Sequence, residues 1–211
     1  MKMEDPHMKL RFPINLFSAI FCSAVYVTFA TIAYSQYPLS FSPVHNWLSD
    51  LGNRVDNPQG ANFYNIGIIL TAIFLAIWFT AGLNQWRLEH HTAQRILLTI
   101  SQVGGILAAI SLIMSALYPI NLMQIHSFWS KMHFMMFGIG FGFSVAALRY
   151  HPLIPKADLY LGTSAALLPT FMLIYGNAYW MEWVAVGTFI IYILSIGKAS
   201  LALTNQLKPP S

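Results

Sequence analysis

Six long apolar blocks separated by short polar stretches set the layout of this 211-residue chain. They fall at about 13–35, 62–83, 94–117, 128–148, 159–175 and 180–200. Within each block the apolar residues run together instead of recurring every third or fourth position, so no helical face is reserved for water. Most blocks reach the roughly 20 residues, at about 1.5 Å rise each, that a helix needs to cross about 30 Å of hydrocarbon. The fifth is shorter and needs its flanks. The pattern predicts an all-α integral membrane bundle of six transmembrane helices, forming a single domain over 1–211. One gap breaks the rhythm: the stretch 37–61 is long, polar and punctuated by Pro38, Pro43 and Pro58.

The insert itself predicts a short interfacial helix in the first outer loop. Ser42 suits the cap, Pro43 the first helical position and Gly52 a left-handed exit, giving about nine residues. Val44, Trp47, Leu48 and Leu51 then share one face, while His45, Asn46, Ser49 and Asp50 share the other. His45 pairs with Ser49 and Asn46 with Asp50 at a spacing of four, which holds Asp50 in place. Asn57-Pro58 repeats the cap-then-proline signature ahead of the second span. Asn62 and Asn65, three apart, are expected to point inward together and to need polar partners. Ser101, Gly105, Gly138, Gly140 and Gly142 read as packing residues, and Pro169 is expected to kink the fifth span.

Composition agrees with the membrane reading. Apolar residues make up 56% and charged residues 9%, against roughly 25% charged in a soluble domain. Charge also orients the chain, because Lys and Arg are retained on the cytoplasmic side. Lys2, Lys9, Arg11, Arg87, Arg95, Arg149, Lys156, Lys198 and Lys208 fall on one side, and only Arg54 and Lys131 on the other. Both termini are therefore expected in the cytoplasm, the insert outside, and the protein in the cell membrane. The pI near 9.2 reports topology; the basic residues are too dispersed for nucleic acid, and no nucleic-acid partner is expected. The first block is too long for a signal peptide and lacks a small-x-small cleavage site, so it reads as a retained anchor. Cys22, the single cysteine, excludes an intramolecular disulfide and any cysteine-based zinc or haem motif.

The topology gathers distant polar residues at the outer helix ends: His45, Asp50, Asn62, Asn65, Tyr118, His126, Ser130, His133, Asn177 and Glu182. The candidate ligand-binding set is His45, Asp50, Asn62, Asn65, His126, Ser130 and His133. His126 and His133 are seven apart, about 10 Å along the axis, so one metal ion cannot take both. A metal site would need His133 with Asp50 and His45. Against that, polar residues at span ends knit loops together, and Trp47, Tyr37, Trp129, Tyr179 and Trp180 form an aromatic belt. His126 reads as solvated at the interface, Asp50 as a buried acceptor that organises the insert, and His90 and His91 as a solvated cytoplasmic loop. His133 sits deeper, where functional and structural readings stand equally.

The run His45, Leu48-Ser49-Asp50-Leu51-Gly52-Asn53, Asn57-Pro58, Phe63 and Asn65-Ile66-Gly67 resembles a bacterial and archaeal multi-span membrane family catalogued as domain of unknown function nine-nine-eight. The likeness is sharp over 42–83 and weaker around Tyr118-Pro119 and 126–142. It implies the six-span topology and no particular reaction. The Ser-Asp followed by Gly is more distantly similar to six-span proteins of the DRAM/Sfk type, which implies lipid organisation or membrane signalling. Two functions follow as expectations. One is a non-catalytic protein that binds a membrane lipid, or another membrane protein, over a polar floor of Asp50, Asn62, Asn65 and His133, with Trp47 and Trp129 flanking the ligand; it requires no cofactor. The other is an outer-leaflet amidase or esterase in which zinc-bound water attacks the lipid, with Asp50, Ser49 and His133 as catalytic candidates. Ser49, Asp50, His45, His126 and His133 match the residue inventory of zinc amidases of the alkaline ceramidase type, which those enzymes, by resemblance, set on seven spans with a closely spaced histidine pair absent here.

Overall fold

Each apolar block folds as one helix. The computed structural model describes residues 12–175 and 178–205, and places α1 at Ile14–Ser35, α2 at Ala61–Ile77, α3 at Thr92–Leu117, α4 at Met123–Leu148, α5 at Lys156–Tyr175 and α6 at Tyr179–Asn205. Lys2, Lys9, Arg11, Lys208 and Asn177 lie outside the described residues. All six helices are long and apolar enough to cross a membrane, the architecture of a multi-pass membrane protein. No strand occurs among the described residues.

The helices pack in chain order, each on the next, and α6 returns to α1, so the six close into a ring. At the end near the chain termini an aromatic plug fills the ring. Trp78, Phe79, Phe141 and Tyr192 are fully buried there, with Phe79 5.2 Å from Phe141, and Phe141 5.1 Å from Phe189 and 5.4 Å from Tyr192. Aromatic pairs at such centroid distances contribute about 0.5–1.5 kcal/mol beyond the area they bury. Small residues let α3 meet α4, as expected: Ser101 Oγ donates to the Gly140 carbonyl at 2.7 Å, and a Cβ on Gly105 would overlap the Phe79 ring. Pro169 sits within a continuous α5. The last turn of α2, Trp78–Gly82, widens into a π-helix, and Gln102 Nε2 donates to the Thr80 carbonyl there at 3.1 Å.

Two expectations about helix ends need correction. α4 begins at Met123, five residues ahead of the apolar block, so the polar stretch Gln124, His126 and Ser127 is helical and His126 enters the bundle. The interfacial helix from Pro43 does not form. One turn closes at Ser42, whose carbonyl accepts from the His45 and Asn46 amides at 3.1 and 2.9 Å. The backbone then extends at Trp47 (φ −66°, ψ 148°), and only Leu48–Gly52 coils again, as a 3₁₀ helix. The cause is competition for amide donors. Asp50 Oδ2 takes the Trp47 N–H at 2.9 Å, and Glu182 Oε2 takes those of Leu48 and Ser49 at 2.8 and 3.4 Å, leaving none for an α-helical ladder. Gly52 is not a left-handed exit either, since no described glycine has positive φ. It is needed for close approach: a Cβ would lie 2.5 Å from Asn65 Oδ1 and 2.9 Å from Tyr64 Cδ1.

Candidate functional site: a capped polar chamber

The insert is tied to three helices and caps the ring end opposite the plug. Asn57, fully buried, donates through Nδ2 to the carbonyls of Ala33 on α1 and Leu51 in the insert at 3.1 and 2.9 Å, and its Oδ1 accepts from the Gly60 N–H at 3.1 Å. Asn65 on α2 donates to the Gly52 carbonyl at 3.0 Å. On α6, Glu182 receives the Leu48 and Ser49 amides, Trp183 Nε1 donates to the Asn46 carbonyl at 3.0 Å, and Tyr179 lies edge-on to Trp47 at 5.0 Å. Leu48 and Leu51 are thereby pressed into the bundle against Ala33, Tyr64, Ile68 and Ala116.

Beneath this cap the ring encloses a chamber of about 90 Å³. Every helix but α5 lines it, through Cys22 and Tyr26 of α1, Tyr64, Asn65 and Thr71 of α2, Ser115 of α3, His126, Ser130 and His133 of α4, and Glu182 of α6. Phe134, Phe137 and Phe189 separate it from the plug. A wider vestibule of about 330 Å³ adjoins it, bounded by Trp47, Met123, Lys131, Met172 and Leu173. Ser49, His126, Ser130, Phe134 and Glu182 line both spaces, so the two meet there. The vestibule lies beneath the cap between the first turns of α4 and the end of α5.

The chamber's polar lining gathers where it meets the vestibule, at Ser49, His126, Ser130 and Glu182. Behind these the Tyr26 hydroxyl, Thr71 Oγ1 and His133 Nδ1 are sealed within the surrounding packing, with the Tyr26 and Tyr64 hydroxyls set against each other and His133 against the Trp129 carbonyl. A few polar groups at one end of an otherwise apolar cavity suit an occupant with a polar end.

His126 is not solvated at the interface, contrary to expectation. It is buried, and its Nδ1 lies 3.1 Å from the Ser115 carbonyl and 2.9 Å from that of Tyr118. Two acceptors on one ring nitrogen assign the proton to Nδ1, so the ring closes the open C-terminal end of α3 and turns Nε2 toward the chamber as an acceptor. His133, the deeper histidine, is buried between Phe134 and Phe137, with ring centroids 4.2 and 5.7 Å away. Ser130 lies between the two histidines, at the neck.

Three other site candidates fall elsewhere. His45 is exposed on the turn after Ser42 and lines neither space, because the helix that would have turned it inward does not form. Asn62 is exposed while Asn65 is buried: the inward stripe of α2 runs through Ala61, Tyr64, Asn65, Ile68 and Ala72, and Asn62 trails off it. Asp50 is half-buried and faces its own backbone at Trp47, the structural role expected of it, away from the chamber. The set His45, Asp50 and His133 therefore does not converge, and among the described residues no group of three His, Cys, Asp or Glu side chains is placed to hold a metal ion. Trp47 lines the vestibule and Trp129 does not; Trp129 packs on Phe128 at 5.0 Å. His91 is more than a solvated loop residue, since its Nδ1 accepts the Gln94 N–H at 3.2 Å and caps α3.

Burial lifts the Asp50 carboxyl above the ordinary carboxylate range, opposed by the Trp47 amide and the Asn46 side chain, while Asp56 adds to the rise. A group whose folded pKa is raised holds its proton more tightly folded than unfolded, so it destabilises the fold as pH climbs through that window. The protein is thus expected to gain stability as pH falls toward the ordinary carboxylate value. Asp50→Asn keeps an acceptor for Trp47 and should lack that part of the gain; equal pH slopes of melting temperature in both proteins would exclude it.

No protein-family model, curated protein or solved structure matches the chain. The site therefore stands on its own geometry.

Proposed function

We propose that this multi-pass membrane protein binds a membrane lipid, seating the polar group in the capped chamber and leading the acyl chains out through the vestibule. The observation that carries this is the cluster of polar side chains Ser49, His126, Ser130 and Glu182 where an otherwise apolar cavity joins a side opening lined by Met123, Met172 and Leu173. An amphipathic ligand needs that combination, a few polar contacts at one end and apolar walls at the other. Met123 and Met172 suit acyl chains because their side chains adapt to irregular shapes. The charge pattern supports placing the capped end away from the cytoplasm, since Arg87, Arg95, Arg149, Lys156 and Lys198 all belong to the opposite end. That orientation exposes the vestibule to the outer leaflet.

The test is a blocked neck. Ser130 is shared by chamber and vestibule, so Ser130→Trp fills the passage while leaving the insert's anchors intact. The variant is expected to purify folded and to carry about tenfold less co-purified lipid than wild type by mass spectrometry, the loss expected for about 1.4 kcal/mol of binding. A folded S130W protein with undiminished lipid would place the lipid elsewhere.

A further inference from the structure

Among the described residues Glu182 is the only acidic side chain lining the chamber, and no Lys or Arg lines it. It is 7% exposed, and its Oε2 accepts the Leu48 and Ser49 amides. Lys131 is exposed and lines the vestibule. Buried acids are ordinarily paired with a cation, because an uncompensated charge away from water is costly. Beside Glu182, where the two spaces meet, stand groups that can accept a hydrogen bond: the Ser49 and Ser130 hydroxyls and, by the tautomer assigned above, His126 Nε2. Aromatic faces complete the wall at Phe134 and Phe137.

We infer that the chamber recognises the primary ammonium of a lipid headgroup, with Glu182 as its counter-charge, His126 Nε2 and the Ser130 hydroxyl accepting its N–H groups, and Lys131 meeting the headgroup phosphate in the vestibule. This rests on the lipid-binding reading above and narrows it to aminophospholipids. Three N–H donors match three acceptors, whereas a quaternary ammonium carries none to give. A metal ion is the poorer match, because no three ligating side chains gather among the described residues.

Thermal unfolding of the full chain in detergent tests this with dioctanoyl phosphatidylethanolamine, the corresponding phosphatidylcholine and phosphatidylglycerol, and free ethanolamine. Phosphatidylethanolamine is expected to bind wild type at least about tenfold tighter than phosphatidylcholine, and phosphatidylglycerol more weakly still. Glu182→Gln keeps a carbonyl acceptor for the Leu48 amide and should bring the two zwitterionic lipids within about twofold of each other; Ser130→Ala, which removes an acceptor at the neck and none of the insert's anchors, should reduce the preference. Equal binding of the two zwitterionic lipids to wild type overturns the ammonium assignment and leaves lipid binding standing. Binding of ethanolamine as tight as that of its lipid overturns the headgroup assignment, and binding of no lipid overturns both readings. The wild-type comparison decides even if E182Q fails to fold.

Discussion

Asn57→Ala is expected to be the most damaging single substitution in the insert, costing about 3–5 kcal/mol of stability. The Asn57 side chain is fully buried and satisfies three backbone groups, the carbonyls of Ala33 and Leu51 and the amide of Gly60. Ala would strand all three where water cannot reach, each at about 1–3 kcal/mol, with partial relaxation lowering the sum. Asn57→Asp should not rescue it. The acid keeps an acceptor for Gly60 but turns an oxygen toward two carbonyls. At about 2–4 °C per kcal/mol for a chain of this size, melting should fall by roughly 6–20 °C. A drop under about 2 °C would mean that the insert is held by its apolar contacts alone.

Glu182→Ala should have the second largest effect, and a composite one. It removes the acceptor of the Leu48 and Ser49 amides and an acid that lines the chamber. Hydrogen bonds to a charged group contribute about 1.5–3 kcal/mol each, yet deleting a buried charge returns its desolvation cost. These offset, so a net loss of about 2 kcal/mol is expected, concentrated in the cap. Hydrogen exchange at Leu48 and Ser49 should accelerate by about tenfold or more, while the plug around Trp78 and Phe141 keeps its protection. Uniform loss of protection would show instead that Glu182 supports the whole bundle. Co-purified lipid should also fall, and E182Q should preserve cap protection where E182A does not.

The six spans were legible because each is a continuous apolar block, a signal that tertiary context does not overwrite. Helix ends were less so. α4 extends through Gln124 and Ser127 because their backbone is helical whatever the side chains' polarity, and hydropathy sees only the latter. The insert was misread for a different reason: its backbone is set by Glu182, 134 residues away in sequence at Leu48, and no local capping rule contains that partner. Loss of that helix also displaced His45. Glu182 was visible among the outer polar residues, yet nothing local to it points to its partners, the Leu48 and Ser49 amides. Tyr26 and Thr71 were missed because a hydroxyl within an apolar span does not break the hydropathy signal. A faint mark existed: Ala19, Cys22 and Tyr26 recur at helical spacing, a stripe of small and polar residues that turns out to face the ring's interior.

A phospholipid carrying a photoreactive group beside its head tests most directly whether the capped chamber holds a lipid's polar end. Irradiated with the full chain in nanodiscs and mapped by mass spectrometry, it should label the walls of the two spaces, chiefly peptides around Tyr26, Ser130–Phe134 and Met172–Leu173, and excess unlabelled lipid should compete the labelling away. Labelling confined to the exposed surface at Tyr160, Ile174 and Ile191, with the chamber-lining peptides unmodified, would contradict it.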